Sequence, residues 1–392
     1  MKKILREKFN FYYLSIFIIV LVIVSIYLYI QYPSGKIDDT KIDNIKLPEN
    51  FEINIFADLD VSSRAYPGPN VGPRFMAFNN KILFVSVSKQ GKVVALPDRN
   101  KDNEADEIIV SIDNLAKPHG LAFHEDWLYI AEEHRVIRVK DTDNDLIYEP
   151  ETIEVLIDNL PSGGHWTRTI QIFNDSLYVS VGSSCNVCIE KNKFRAAITK
   201  CDIDGNNCET FATGLRNAVG FIFHPDTDEL LATENSRDML GEDIPTDEIN
   251  LVMESKDYGW PICYGNRIHD TDFDKNVYIR NPCEDTERPL IEFQAHSAPL
   301  GLAINDKYLF PEKYRGKLFV AYHGSWNRKV PTGYKVVYMD LESKEIEDFA
   351  TGWLTEDFKV LGRPVDVIFN SEGSMFVSDD NAGLVYKITY KE

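Results

Sequence analysis

From residue 76 onward the chain repeats one phrase: an apolar pair, a Phe or Ile, a short polar turn, then a strand of the form Leu-aromatic-Val-Ser. The copies are MAFNNKILFVSV (76–87), GLAFHEDWLYIAEE (120–133), TIQIFNDSLYVSVG (169–182), GFIFHPDTDELLATE (220–234), GLAINDKYLFPEKYRGKLFVAY (301–322) and DVIFNSEGSMFVSDD (366–380). Each reads as two short β-strands around a turn, and most are followed by a further alternating run such as GKVVALPD, RVIRVKD or GLVYKITY. A multi-strand unit returning every ~40–50 residues is the pattern of a β-propeller, in which a blade buries its faces only against its neighbours. The phrase therefore predicts an all-β, six-bladed β-propeller; a β-sandwich would not need the same strand phrase six times. FEINIFADL (51–59) precedes the first copy and is expected to give its strand to the last blade, closing the ring. Wider intervals leave insertions at 235–300 and 323–365. Loops of this kind converge on one mouth of a propeller's central channel, where a site would be built.

Ahead of the repeat, residues 9–35 (FNFYYLSIFIIVLVIVSIYLYIQYPSG) carry no charge and follow Lys2, Lys3, Arg6 and Lys8. A bilayer needs roughly 20 apolar residues, so a transmembrane helix is expected here. The basic residues before it and the acid-leaning stretch after it put the N-terminus in the cytoplasm and the rest outside. No small-x-small cleavage signal closes the segment, which favours an uncleaved anchor over a signal peptide; cleavage would make the propeller a secreted protein. The expected organisation is 1–35 cytoplasmic N-terminus and anchor, 36–49 linker, and 50–392 propeller.

An extracytoplasmic location changes how the six cysteines are read, because they can pair there. Fifteen connectivities exist for six cysteines. The turn-forming centre of CDIDGNNC favours Cys201 with Cys208, Cys263 with Cys283 would close the loop between them, and Cys185 with Cys188 is left by elimination. Zinc is the weaker reading for Cys185 and Cys188, since no second Cys-x-x-Cys or paired His motif accompanies them. SSCNVC thus reads as a staple at the far end of a strand, separate from the loop GGHWTRT before it. A formal net charge of −20 and a pI near 4.9 argue against nucleic acid and against adhesion to anionic lipid. The Asp-rich runs 97–107 and 140–151 lack the sixth-position Gly and acidic twelfth residue of a helix-loop-helix calcium loop, and read as Asx-turned hairpins.

Polar residues stand just before or after the repeated strands: His119, His165, Arg168, Arg216, Asn217, Asn235, Arg237, Asp238, His296, His323, Trp326, Arg328 and Arg363. Any one of them could simply satisfy loop carbonyls. Recurrence at equivalent places argues for a site, because a propeller turns equivalence in the repeat into proximity around one axis. The chain has no G-x-S-x-G, no H-E-x-x-H and no phosphate-cradling glycine loop. A mouth rich in His, Arg and Asn suits a planar, anionic ligand held by guanidinium groups, with a neutral imidazole as base.

At GLRNAVGFIFHP with DEINLVMESKDYGWP, GGHWTRT, HSAPLGLAI and GSWNR…PTGYKV, the sequence from about residue 50 onward resembles the glucose/sorbosone dehydrogenases. These are soluble or exported six-bladed propellers that use pyrroloquinoline quinone, and the sorbosone-dehydrogenase-like branch looks closest. The resemblance implies that His165 is the general base, taking the substrate hydroxyl's proton while a hydride passes to C5 of the quinone. It implies that Arg216 and Asn217 contact the quinone, Arg216 stabilising charge at the reactive carbonyl. His119 stands where the glucose enzymes have a glutamine lining the cofactor pocket, and Arg363 matches an arginine gripping the cofactor's carboxylates. Arg168 and His296 complete the implied cofactor-binding set; a lysine of the glucose enzymes has no clear counterpart, with His296 or Gln294 nearest. A second gripping arginine falls at Val365. The family's calcium ion is held by backbone carbonyls of a Gly-Pro pair that here reads Ser236-Arg237, so Ca2+ is expected on those carbonyls.

The implied function is an exported, membrane-anchored quinoprotein oxidoreductase acting on a sugar or sugar-derived aldehyde or alcohol. Its electrons would pass to an unidentified acceptor, a membrane quinone or a cytochrome. Two other readings are a non-catalytic extracellular ligand-binding propeller, and a calcium-dependent lactonase-type hydrolase enlisting Asn217, Glu234, Asn235 and Asp379.

Overall fold

The computed structural model describes residues 39–59 and 72–391. The expected transmembrane segment at 9–35 lies outside the described residues; among them, no helix is long and apolar enough to cross a membrane.

Among the described residues, six blade sheets follow one another, antiparallel except where Lys256–Asp257 adds in parallel to the edge of the third. The first comprises Met76–Asn79, Ile82–Val87, Lys92–Leu96 and Ile109–Ile112. The second runs from Leu121–His124 to Glu154–Ile157, the third from Arg168–Phe173 to Glu209–Thr213, and the fourth from Phe221–Phe223 to Ile291–Phe293. The fifth runs from Pro299–Ile304 to Ile346–Ala350. The sixth holds Pro364–Phe369, Met375–Asp379 and Leu384–Tyr390, and its fourth strand is Phe51–Asp58 from the start of the propeller. That strand pairs antiparallel with the last one, Phe51 opposite Tyr390 and Asp58 opposite Leu384, so the ring closes as expected.

The phrase is apolar on successive residues because a blade's inner strands are covered on both faces. Leu83 and Val85 pack against Phe376 and Val385 of the sixth blade, while Phe84 between them packs against Leu128 and Ile130 of the second. Alternate side chains of a strand point to opposite faces, so one strand serves two interfaces. The hydroxyl residues bind neighbouring blades together near the axis. Ser86 Oγ donates to His119 O at 2.8 Å, Thr233 Oγ1 to Leu300 O at 2.9 Å and Ser378 Oγ to Arg74 O at 2.5 Å. Each joins one blade to the next. Phe75, Val219, Leu300 and Val365, from the starts of four different blades, meet in an apolar plug.

All three disulfides form as the sequence argument favoured: Cys185–Cys188, Cys201–Cys208 and Cys263–Cys283. The insertion after the fourth blade's third strand carries a small hairpin, Cys263–Tyr264 with Ile268–His269, stapled by the third of these. Within the expected linker, Lys46 pairs with Thr351 of the fifth blade. The acidic runs do form Asx turns: Asp141 Oδ1 accepts from Asn144 N at 2.7 Å, and Asp102 Oδ1 from Glu104 N at 3.0 Å.

Candidate active site

The loops entering and leaving the blades enclose a cavity of about 570 Å³, within the range of small-molecule sites. Its wall includes His165, Arg216, Asn217, His296, His323 and Arg363, and the plug residues Val219 and Leu300 also face it.

His165 sits in the turn before the third blade. Its Nδ1 lies 2.9 Å from Ser183 Oγ and 3.1 Å from Ser183 O. The single hydroxyl proton of Ser183 goes to Cys185 O at 2.6 Å, so the ring must be the donor at Nδ1. That leaves Nε2 with its lone pair available. Burial, followed by the charge of Arg216 and then those of Arg195 and Arg168, brings the His165 pKa down to about 3. The imidazole is therefore neutral across the physiological range. Beneath it, Gly182 leaves room for two side chains: a Cβ there would meet both His165 Cβ and Asn217 Oδ1 at 2.6 Å.

Arg216 is nearly buried, and every one of its five N–H bonds has a protein acceptor. Nε donates to Asn186 O at 2.9 Å, and Nη1 to Asn235 O at 2.9 Å and Ser236 O at 2.8 Å. Nη2 donates to Asn186 Oδ1 at 2.9 Å and Asp238 Oδ2 at 3.0 Å. Its contribution to the cavity is thus a fixed positive charge. Asn217 follows it, its backbone N–H held by Glu234, whose carboxyl is pushed well above the usual range by burial and by Glu248.

Opposite lies a group of which sequence reasoning named His323 but missed Arg74 and Asp380. Arg74 Nη1 reaches Asp380 Oδ2 at 2.5 Å, and His323 Nε2 lies 2.9 Å from Asp380 Oδ1. Burial raises the Asp380 carboxyl, but His323 and Arg74 outweigh it and hold its pKa at about 2. Arg363 braces the same wall, Nε to His323 O at 3.0 Å and Nη2 to Gly324 O at 2.5 Å. The repeat itself carried the signal for Arg74: PRFMAF (73–78) aligns with PHGLAF (118–123), placing Arg74 where the second blade has His119.

Several expected site residues lie elsewhere. Arg168 is fully buried and donates to His165 O at 2.8 Å, Thr167 O at 2.7 Å and Pro161 O at 2.5 Å. It ties down the loop that carries His165 and does not line the cavity. His119 is also fully buried, its ring 4.3 Å from that of Phe75 in the layer of the plug and its Nε2 3.5 Å from Arg74 Nη2. His296 does line the cavity, its Nε2 donating to Gly241 O at 2.8 Å.

The calcium expectation does not fit the donors present. The Ser236 carbonyl faces Arg216, and the Arg237 guanidinium pairs with Asp270 at 2.5 Å beside a separate recess. Asp247 accepts from Ser236 N and Ala298 N, and Asp238 from Arg216 and Asn327. A divalent cation at Ser236 would lie against a guanidinium, with the nearby carboxylates already committed. The acids enlisted for a hydrolase metal are occupied as well, Asp379 Oδ1 by Arg363 N and Ala382 N. A planar polyanion fits better, because Arg74, Arg363 and Arg216 surround the space, with Trp166 also in its wall.

The SSCNVC staple is not separate from the site. Cys185 O receives the Ser183 hydroxyl that holds His165, and Asn186 takes two of the five bonds of Arg216.

Residues 70–391 match the family model described as TrAA12-like. The chain belongs to this family. An uncharacterized protein of Borreliella burgdorferi is 30% identical over 367 residues, 89% of this chain and 91% of that one. A pyrroloquinoline quinone-dependent pyranose dehydrogenase of Coprinopsis cinerea is 25% identical over 321 residues, 62% of this chain and 42% of that protein. The solved structure of a Trichoderma reesei protein of Carbohydrate-Active Enzymes Family AA12 superposes with a TM-score of 0.73 at 20% identity, covering 89% of this chain and 98% of its own. That likeness shows the shared propeller. None of these three carries the sorbosone designation.

Proposed function

We propose that the protein is an oxidoreductase that oxidises a sugar or a sugar-derived alcohol or aldehyde, with pyrroloquinoline quinone as first electron acceptor. The observation that carries this is a neutral His165 with a free Nε2 beside a cation-walled cavity of cofactor size. The name of the Coprinopsis relative supports the same choice of cofactor and substrate class.

When bound, the quinone supplies a two-electron acceptor for hydride. Arg74 and Arg363 would hold its carboxylates, and the fixed charge of Arg216 favours negative charge developing next to it. His165 Nε2 takes the proton of the substrate hydroxyl, while its Nδ1–H stays on Ser183 and keeps the ring from turning. Trp166 and the apolar plug limit the water that reaches the reacting atoms.

Anchoring through 9–35 and an extracytoplasmic position are parts of this proposal. Three disulfides support an oxidising compartment. Electrons would leave to a membrane quinone or a cytochrome.

The test is to titrate the full-length protein in detergent with pyrroloquinoline quinone, following absorbance and thermal unfolding, then to measure dye reduction with a panel of aldoses and aldehydes. Quinone-dependent reduction is expected, falling by about 10²-fold or more in His165→Ala and unchanged in the exposed-turn variant Asp226→Ala. Absence of quinone binding overturns the proposal in favour of a binding propeller.

A further inference from the structure

We infer that Asn186, held in the loop closed by the Cys185–Cys188 disulfide, is a positioning residue that aims the Arg216 guanidinium at the cavity. The inference rests on the reading of His165 and Arg216 as catalytic machinery.

A buried guanidinium is placed by its acceptors, and those of Arg216 come from two loops only. The loop 235–238 gives three, the carbonyls of Asn235 and Ser236 and the carboxylate of Asp238. Asn186 gives the other two, one from its backbone and one from its side chain. The same side chain joins the two loops: Asn186 Nδ2 donates to Asp238 O at 2.9 Å, and Asp238 N donates to Asn186 Oδ1 at 2.7 Å. The amide does both, donating through Nδ2 and accepting at Oδ1, which a carboxylate cannot. Asp at this position would set a carboxylate oxygen against the Asp238 carbonyl. Trp260 Nε1, 3.3 Å from Asn186 O, fixes the peptide from a third direction.

The disulfide explains how so small a loop can carry this load. Residues 184–189 form no helix or strand, and Ser184 and Ile189 are exposed. Without a covalent tie such a segment would open readily. The tie acts on the base as well, because the Ser183 hydroxyl that orients His165 ends on Cys185 O. One disulfide-closed turn therefore sets both the cation and, through Ser183, the imidazole. The charges facing His165 are those of Arg216, Arg195 and Arg168, and Arg216 is the strongest of the three.

The experiment uses the cofactor-free full-length chain with isotope-labelled histidine and arginine. Two NMR readouts are followed: the midpoint of the His165 titration and the exchange of the Arg216 Nε proton. In the parent a slow-exchanging Arg216 Nε proton and a strongly acidic His165 midpoint are expected. Asn186→Ala and the pair Cys185→Ser/Cys188→Ser should each speed Nε exchange at least tenfold and raise the His165 midpoint by about one unit, as Arg216 moves off. The pair Cys201→Ser/Cys208→Ser should move neither. With the quinone loaded, Asn186→Ala should lower kcat with little change in KM. Fast exchange in the parent overturns the inference without any variant needing to fold, and so does Asn186→Ala leaving both signals in place. Failure of the quinone to bind would leave these cofactor-free readouts standing, so the two proposals fail separately.

Discussion

His323 gives its Nε2–H to Asp380 Oδ1 at 2.9 Å, joining the loop after the fifth blade's second strand to the loop after the sixth blade's second strand across the cavity wall. The other carboxylate oxygen is taken by Arg74 of the first blade, so one buried anion holds three blades. Asp380→Asn leaves the Arg74 guanidinium buried without its counter-charge. A loss of about 3–5 kcal/mol is expected, read from denaturant midpoints at pH 7. Because the folded pKa of Asp380 lies at about 2, below its ordinary 3.8, the stabilisation is present above about pH 4 and is lost as pH falls toward 2. The variant should lack that limb.

His165 predicts an opposite kind of pH dependence to most histidine pairs. Its folded pKa of about 3 lies below the ordinary 6.5, so between those values the unfolded chain binds the extra proton. Stability contributed by the neutral ring is full above pH 6.5 and falls on acidification. Buried Asp366 and Glu248, raised to about 7, act in the other direction over much of the same window. His165→Gln removes one contribution, and its stability relative to the parent should improve as pH falls through that window. A constant difference between the two would refute the assignment of the shift.

Gly182→Ala tests the packing under the base. A new Cβ at 2.6 Å from both His165 Cβ and Asn217 Oδ1 must push one of them aside. Overpacking of this kind costs about 1–3 kcal/mol, and a misplacement near 1 Å can cost about 10²-fold in rate. Turnover should therefore fall much further than the melting temperature. Equal activity in Gly182→Ala would show that neither side chain needs its present position.

Ring closure has its own probe in Phe51. Its ring meets those of Phe310, Tyr314, Phe349 and Tyr390 at centroid distances of 4.7, 5.4, 5.1 and 5.0 Å. Phe51→Ala should cost about 3 kcal/mol in urea unfolding. An unchanged m-value is expected, since the remaining pairs of the strand keep the ring closed.

The blades were legible because the requirement that writes them is local: a strand covered on both faces must be apolar on successive residues, as in Leu83, Phe84 and Val85. His165, Arg216, Asn217, His296 and Arg363 stand at loop positions that the ring gathers, and all five line the cavity. Arg168 and His119 were misplaced by the same reasoning, because equivalence in the repeat says which layer a residue occupies but not whether it points up or is covered. Arg74 was overlooked although its position in PRFMAF matches that of His119. Asp380 and Asn186 could not be found this way, since their roles depend on residues 306 and 30 positions distant. Nothing within SSCNVC announces that its carbonyls and amide turn toward an arginine beyond the next two strands.

The strand Phe51–Asp58 is made before any blade, and its partner Leu384–Tyr390 after the other five are complete. During synthesis, the strand Phe51–Asp58 and the unfinished sixth blade must therefore wait as open edges, each an invitation to wrong pairing. The cell has to shield this chain from its neighbours until the final strand arrives, and a truncated copy would be a source of aggregates rather than of a smaller working ring.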